Sequence, residues 1–491
     1  MFIVVNNNSK EGILMTISKD QNGRSYSRFW FIFTLLVGTF TMSISQSSLS
    51  TAYPTLMRAF GISASTVQWL TTGFMLVMCV SMPISPWMLN NLNFKTMFIG
   101  ALALFDIGSL MIILTPASWG TSGFWFMMIG RALEAFAVGV LFPSYQSVLL
   151  EITPTDSRGT TMGVAGLVMG SALACGPIVS GIVLKFFDWK SLFVLFMIII
   201  TVIILMAGLG LIRDVMPRHE TTLDWLSVIL SIGLIGVMYV INQAGKNNIN
   251  WALDGTILIV SILAIAWFCL RQLHLTEPLL ELRVMKTFNY DLAILLTSIS
   301  YIALIVTTII FPLYYQGVLH VSPFVSGMSL VPGAVFLSIL NPLTGTLADK
   351  IGFKPTMLVG MTMIVVGWIA GLTMISHLSL WGMIICAMVI EGGNAFVMMP
   401  AVTLGANSLP NELVPHGTAV ITTVRQVLGS TGVTVATLIL TNAANHSISR
   451  GMSTLAANLH GYRLVFITMI VVEVIGFCLA LVLKNTKKVQ K

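Results

Sequence analysis

Charge is the scarcest ingredient of this chain. Only 9% of its 491 residues are Asp, Glu, Lys or Arg, and 56% are hydrophobic. A soluble domain carries roughly 25% charged residues, so a soluble globular protein is excluded. Cysteine is also scarce. Cys79, Cys175, Cys269, Cys386 and Cys478 all fall within apolar runs, which argues against a disulfide framework or a metal site. No glycine loop ending in Gly-Lys-Ser/Thr occurs, so ATP is not expected as the energy source. No Ser/His/Asp set calls for an enzyme, and no cofactor is expected. The first 28 residues have no apolar core followed by a small-residue cleavage site, and read as a tail rather than a signal peptide. Met15 is an alternative start to Met1. The net charge of +7 sits in loops between apolar runs, so it does not point to nucleic acid.

What the chain has in abundance is apolar runs long enough to cross ~30 Å of hydrocarbon. They read as fourteen spans: 29–50, 67–89, 96–115, 123–145, 160–184, 191–212, 223–242, 253–272, 289–317, 324–348, 355–375, 379–402, 416–442 and 462–484. The fold class is therefore all-α integral membrane, with the lipid bilayer as its first partner. With fourteen spans, about 17 of the Lys and Arg residues fall on the side of both termini and about six on the other. The excess of positive charge on cytoplasmic loops then places both termini in the cytoplasm, and the protein in the cell (plasma) membrane.

The spans repeat at long range. Pro83 to Lys95 aligns with Pro342 to Lys354, Glu134…Pro143 with Glu391…Pro400, Arg158-Gly-Thr160 with His416-Gly-Thr418, and Gly170-Ser171 with Gly429-Ser430. All four matches share an offset of roughly 257 to 259 residues. Internal repeats of this kind build many transporters, with the substrate site between them near mid-membrane. The expected division is a tail at 1–28, a six-helix lobe at 29–212, an inserted helix pair at 223–272, a second six-helix lobe at 289–484 and a basic tail at 485–491.

Two carboxylates stand near the middle of their spans, Glu134 and Glu391. An acid at that depth is costly, and usually faces a cavity or a partner. Arg131 lies three residues before Glu134, so the two share a helix face and partly neutralise each other. Burial raises a carboxyl pKa and a nearby cation lowers it; a group balanced between the two can carry a proton. Glu391 is the second candidate, with Arg425 a conceivable partner. Asp106 and Glu473 are also mid-span acids, read as interhelical hydrogen-bonding groups. Closely spaced glycines at Gly166, Gly170, Gly176 and Gly181, with Pro177 among them, allow close helix approach and a bend.

The turn Gly345-Thr-Leu-Ala-Asp349-Lys350-Ile-Gly352-Phe-Lys354 resembles the loop signature of the major facilitator superfamily, in which Asp349 caps the following turn or pairs with basic residues. Its first copy, Pro86 to Lys95, has Asn90 in the place of the aspartate. Gly170 to Gly181, with Gly176-Pro177, is similar to the antiporter motif of the superfamily's drug exporters. Arg131 matches their span-4 arginine. Trp189-Lys-Ser-Leu-Phe193, Met398-Met-Pro400 and Arg425-Gln426 extend the resemblance to the fourteen-span drug/proton antiporters of the QacA and EmrB kind. Those carry an aspartate in span 1, where this chain has Ser45.

The resemblance implies the major facilitator fold, with fourteen helices in two pseudo-symmetric lobes and an inserted pair. It implies proton-coupled export of amphipathic or cationic drugs by alternating access, driven by the proton gradient. Glu134, Arg131 and Glu391 would handle protons, and Ser45, Gln46, Asn394 and Arg425 would line the substrate cavity. The missing aspartate leaves open a carrier or flippase for a native amphiphile with weak coupling. A membrane sensor or immunity protein on the same scaffold is a third reading.

Overall fold

The computed structural model describes residues 17–484 apart from 22, 219–220, 245–249 and 378. The Met1 and Met15 start sites and the basic tail 485–491 lie outside the described residues. The described residues are helical save for one small hairpin and the connecting turns. Its helices are α1 (Arg28–Phe60), α2 (Trp69–Asn91), α3 (Phe94–Leu114), α4 (Thr121–Ile152), α5 (Arg158–Phe186) and α6 (Lys190–Met206). A broken helix α7 follows (Trp225–Ser231, then Gly233–Ala244), and then α8 (Trp251–His274), α9 (Phe288–Gly317) and α10 (Val331–Ile351). The last four are α11 (Phe353–Met374), α12 (Leu380–Asn407), α13 (Val414–Ser449) and α14 (Thr454–Val482). Among the described residues thirteen helices are long and apolar enough to cross a membrane; α7 is shorter.

Several helices outrun their expected spans. α1 continues from the expected end at 50 through Pro54 to Phe60, and α4 runs through Pro143 to Ile152. Neighbouring helices and side chains re-satisfy the carbonyl a proline frees, so the helix bends instead of ending. α2 behaves differently. Pro83 and Pro86 fall close together, and the helix passes through a tighter turn at Met82–Ile84.

The helix α10 is inverted relative to a soluble one. On α10, Ser338, Asn341, Thr344 and Gly345 are buried, while Ile339 and Leu343 are about 60% exposed to what would be lipid. Polar groups therefore meet inside, where hydrogen-bond partners exist. Thr344 Oγ1 donates to the Ala395 carbonyl of α12, at 2.8 Å. The second half also has an aromatic centre, Phe311, Trp368 and Phe466, with ring centroids 5.2–5.8 Å apart.

The described part of the expected tail contains a hairpin. Ile17–Lys19 (β1) pairs antiparallel with Ser25–Ser27 (β2). It docks through Tyr26, buried beside Phe31, and through the Gln21 N–H, which donates to the Asp214 carbonyl. The inserted pair sits at one side of the seam between the halves. Tyr239 of α7 stacks on Trp69 of α2, and Met238 packs with Leu76, Cys79 and Val427 of α13.

Both described ends lie on one face, here called the terminal face. Asp214 bonds Gln21 and Lys95, Asn289 bonds the Lys484 carbonyl, and Arg158 bonds Asn407 and Asn411.

Candidate functional site

The first half of α4 carries Arg131 and Glu134 one turn apart, and both side chains are fully buried. Arg131 Nη1 donates to Glu134 Oε2 in a direct ion pair. Ser109 Oγ of α3 donates to the other carboxylate oxygen at 2.6 Å. The Glu134 stem rests on Gly108, where a Cβ would lie 3.0 Å from its Cγ. Arg131 spans three helices: its Nη1 also reaches Ser45 Oγ of α1 at 3.4 Å, and its guanidinium lies 4.3 Å from the Phe74 ring centroid of α2. Its Nε has no partner. Ser45 therefore meets the same arginine that a span-1 carboxylate would meet at that place. Gln46, the next residue, is partly buried.

Glu391 is seated on a glycine too, but on a different neighbour. Its carboxyl lies against Gly333 of α10, where a Cβ would come 2.8 Å from Oε2. No ion pair joins it to Arg425 among the described residues. Asn394, one turn on, is fully buried and donates from Nδ2 to the Ser300 carbonyl of α9 at 2.5 Å. That places it between helices of one half. Asp106 accepts from Thr201 Oγ1 at 2.9 Å, as a helix-bridging acid should. Glu473 differs from expectation: it is fully buried and neither carboxylate oxygen has a hydrogen-bond partner.

Asp349 does something the sequence did not suggest. It reaches beyond its own half. Its carboxylate accepts from the Gly159 N–H (2.9 Å), the Thr160 N–H (2.7 Å) and Thr160 Oγ1 (2.7 Å), capping the start of α5 in the other half. Free N–H groups and the helix dipole make that end favour an anion. Gly352 turns the chain after α10 at φ 100°, a conformation glycine adopts without strain. Lys350 is exposed. Lys354 Nζ caps the Leu481 carbonyl at the end of α14, and Lys95 Nζ caps the Gly208 carbonyl just beyond α6. The two repeat lysines do the same work in each copy; the aspartate is kept in only one.

Close packing of the halves follows from α5 against α10. A Cβ on Gly163 would stand 2.5 Å from the Asn341 carbonyl, and one on Gly170 2.8 Å from Ser338 Oγ. Gly159 and Gly345 meet backbone to backbone. Gly176, before Pro177, lies against Ser47 of α1. Around Gly181 nothing approaches within 4 Å, so this member of the motif is not fixed by packing. Sequence reading missed Gly163, although its four-residue spacing from Gly159 was legible. Ser147–Thr418 (2.5 Å) and Arg158 to Asn407 and Asn411 (3.0 and 3.2 Å) complete a closed seam at the terminal face.

Two repeated bundles of membrane-length helices, closed at one face and holding a buried ion pair, define a membrane carrier. The chain belongs to the Major Facilitator Superfamily, which it matches over residues 35–433. It is 33% identical to the MFS-type transporter YcnB of Bacillus subtilis (strain 168), over 95% of this chain and 97% of that one. It is 31% identical to the lincomycin resistance protein LmrB of the same organism, over 97% and 99%. Among solved structures, the proton:xylose symporter XylE superposes with a TM-score of 0.63 at 11% identity, covering 90% and 94%. That last likeness concerns the fold alone.

Proposed function

We propose that this transporter exports amphipathic drugs in exchange for protons by alternating access, with Glu134 as the proton acceptor and Arg131 as its tuner. The observation that carries the reading is the Arg131–Glu134 pair, fully buried at mid-span and tied to α1, α2 and α3. Protonating Glu134 breaks the ion pair and frees Arg131 toward Ser45, which shifts contacts between helices of the first half. The resistance function in the name of the LmrB relative supports drugs as cargo. In this reading fourteen helices cross the membrane, and 29–212 and 289–484 are the moving lobes. The pair 223–272 rides at their seam. The terminal face is cytoplasmic, as the Lys/Arg bias requires. The state described is then closed toward the cytoplasm.

The test is proton release from respiring everted vesicles on addition of amphipathic drugs, anionic and cationic in turn, followed with an acridine dye. Dye dequenching by the wild type and none by Glu134→Gln at equal abundance is the expected result. Unchanged release by that variant sinks the role of Glu134. A second reading, a weakly coupled carrier for a native amphiphile, is favoured by Ser45 standing where an acid is expected. It predicts no drug-induced release at all.

A further inference from the structure

Among the described residues, Arg425 is a membrane-embedded cation with no ion-pair partner. Arg425 lies in the first half of α13, and the apolar length around it places it within the membrane. Its Nε and Nη1 are buried without a hydrogen-bond partner. None of the three ion pairs among the described residues includes it. The ionisable groups near it are the phenols of Tyr301 and Tyr145, which are neutral at physiological pH. Its guanidinium lies 5.2 Å from the Tyr301 ring centroid.

The surroundings are arranged around that charge without neutralising it. Tyr301 Oη donates to Gln426 Oε1 at 3.0 Å. From the other half, Gln146 Nε2 donates to Tyr145 Oη at 3.3 Å, and Gln146 Oε1 has no partner. By contrast Arg131 is matched by Glu134, and Glu391 is seated on Gly333. Ser45 supplies no charge. Among the described residues Arg425 is thus a cation without a matching acid, with the Tyr301 ring beside it and the Tyr145 phenol of the other half nearby.

A charge left unpaired within the membrane is unfavourable, and a planar guanidinium with open donors matches a carboxylate geometrically. We propose that Arg425 seats the anionic group of the cargo, so that the transported amphiphile is a carboxylate-bearing molecule whose apolar body lies against Tyr301 and Tyr145. This replaces the cationic cargo expected from resemblance. It rests on the transport reading above in one respect, that cargo occupies the space beside α13.

Two fluorescent amphiphiles with one fluorophore and opposite charge test it: 11-(dansylamino)undecanoate, an anion, and dansylcadaverine, a cation. Binding of each to the full chain in neutral-lipid nanodiscs is measured without any gradient. At least tenfold tighter binding of the carboxylate is expected for the wild type and for Arg425→Lys, and loss of that preference for Arg425→Gln. Equal or tighter binding of the amine by the wild type overturns the proposal, whatever the variants do. So does an undiminished preference in Arg425→Gln, or binding of neither probe. Because the assay needs no proton exchange, a carboxylate preference that persists where drug-induced proton release fails removes the coupling reading and leaves the anion seat standing.

Discussion

A buried acid in this molecule is placed by a glycine opposite it as much as by its own position. The Glu134 stem rests on Gly108 and the Glu391 carboxyl on Gly333, so each acid lies where its neighbour lacks a side chain. Gly333→Val would put atoms where the Glu391 carboxyl now sits. Overpacking of this kind costs about 1–3 kcal/mol. The variant should therefore unfold at a measurably lower temperature in detergent than the wild type, while a Gly181→Ala control, with open space around it, should not. Both acids were legible as mid-span outliers. Their seats were not, because a glycine in an apolar run gives no sign of what faces it.

Among the elements, the inserted pair is held by a polar knot at its terminal-face end. Arg271 Nε and Nη2 donate to the two Asp224 oxygens at 2.7 and 3.1 Å, and Ser227 and Gln272 extend the network. The Arg271 hydrogen bonds hold the Asp224 carboxyl below the usual carboxylate range. A depressed folded pKa stabilises above the unfolded value and is lost as pH falls through the folded one. Asp224→Asn should therefore lower the unfolding temperature near neutral pH. The gap to wild type should narrow below about pH 4, the ordinary aspartate value. A gap that stays constant down to pH 3 would count against this ion pair. The break of α7 at Ile232 was not foreseen, because the apolar run there continues without a proline.

At the scale of the whole molecule, one carboxylate helps to decide which face is shut. Asp349 reaches from α10 to the start of α5 in the other half, and its lost counterpart, Asn90, leaves the seam asymmetric. Hydrogen bonds to a charged group contribute about 1.5–3 kcal/mol each, and 1.4 kcal/mol is tenfold in an equilibrium. Asp349→Ala should thus shift the balance toward opening at the terminal face by tenfold or more. The check is disulfide yield between cysteines placed at Ser147 and Thr418, in a chain cleared of its five native cysteines. Undiminished cross-linking in Asp349→Ala would show that the glycine seam of α5 and α10 suffices alone.

The sequence by itself determined that this chain lives in a membrane, that its two ends are copies, and that Arg131 and Glu134 share one face. Composition, repeat offset and a three-residue spacing are local properties, and lipid leaves the backbone few folds to choose from. Tertiary structure alone decided what each charged group meets. Asp349 caps a helix 189 residues away in sequence, Glu391 lies against a glycine, and Arg425 has no ion-pair partner among the described residues. Those outcomes depend on the rotation of each helix about its axis, which is set by small residues on its neighbours and is written in no single segment.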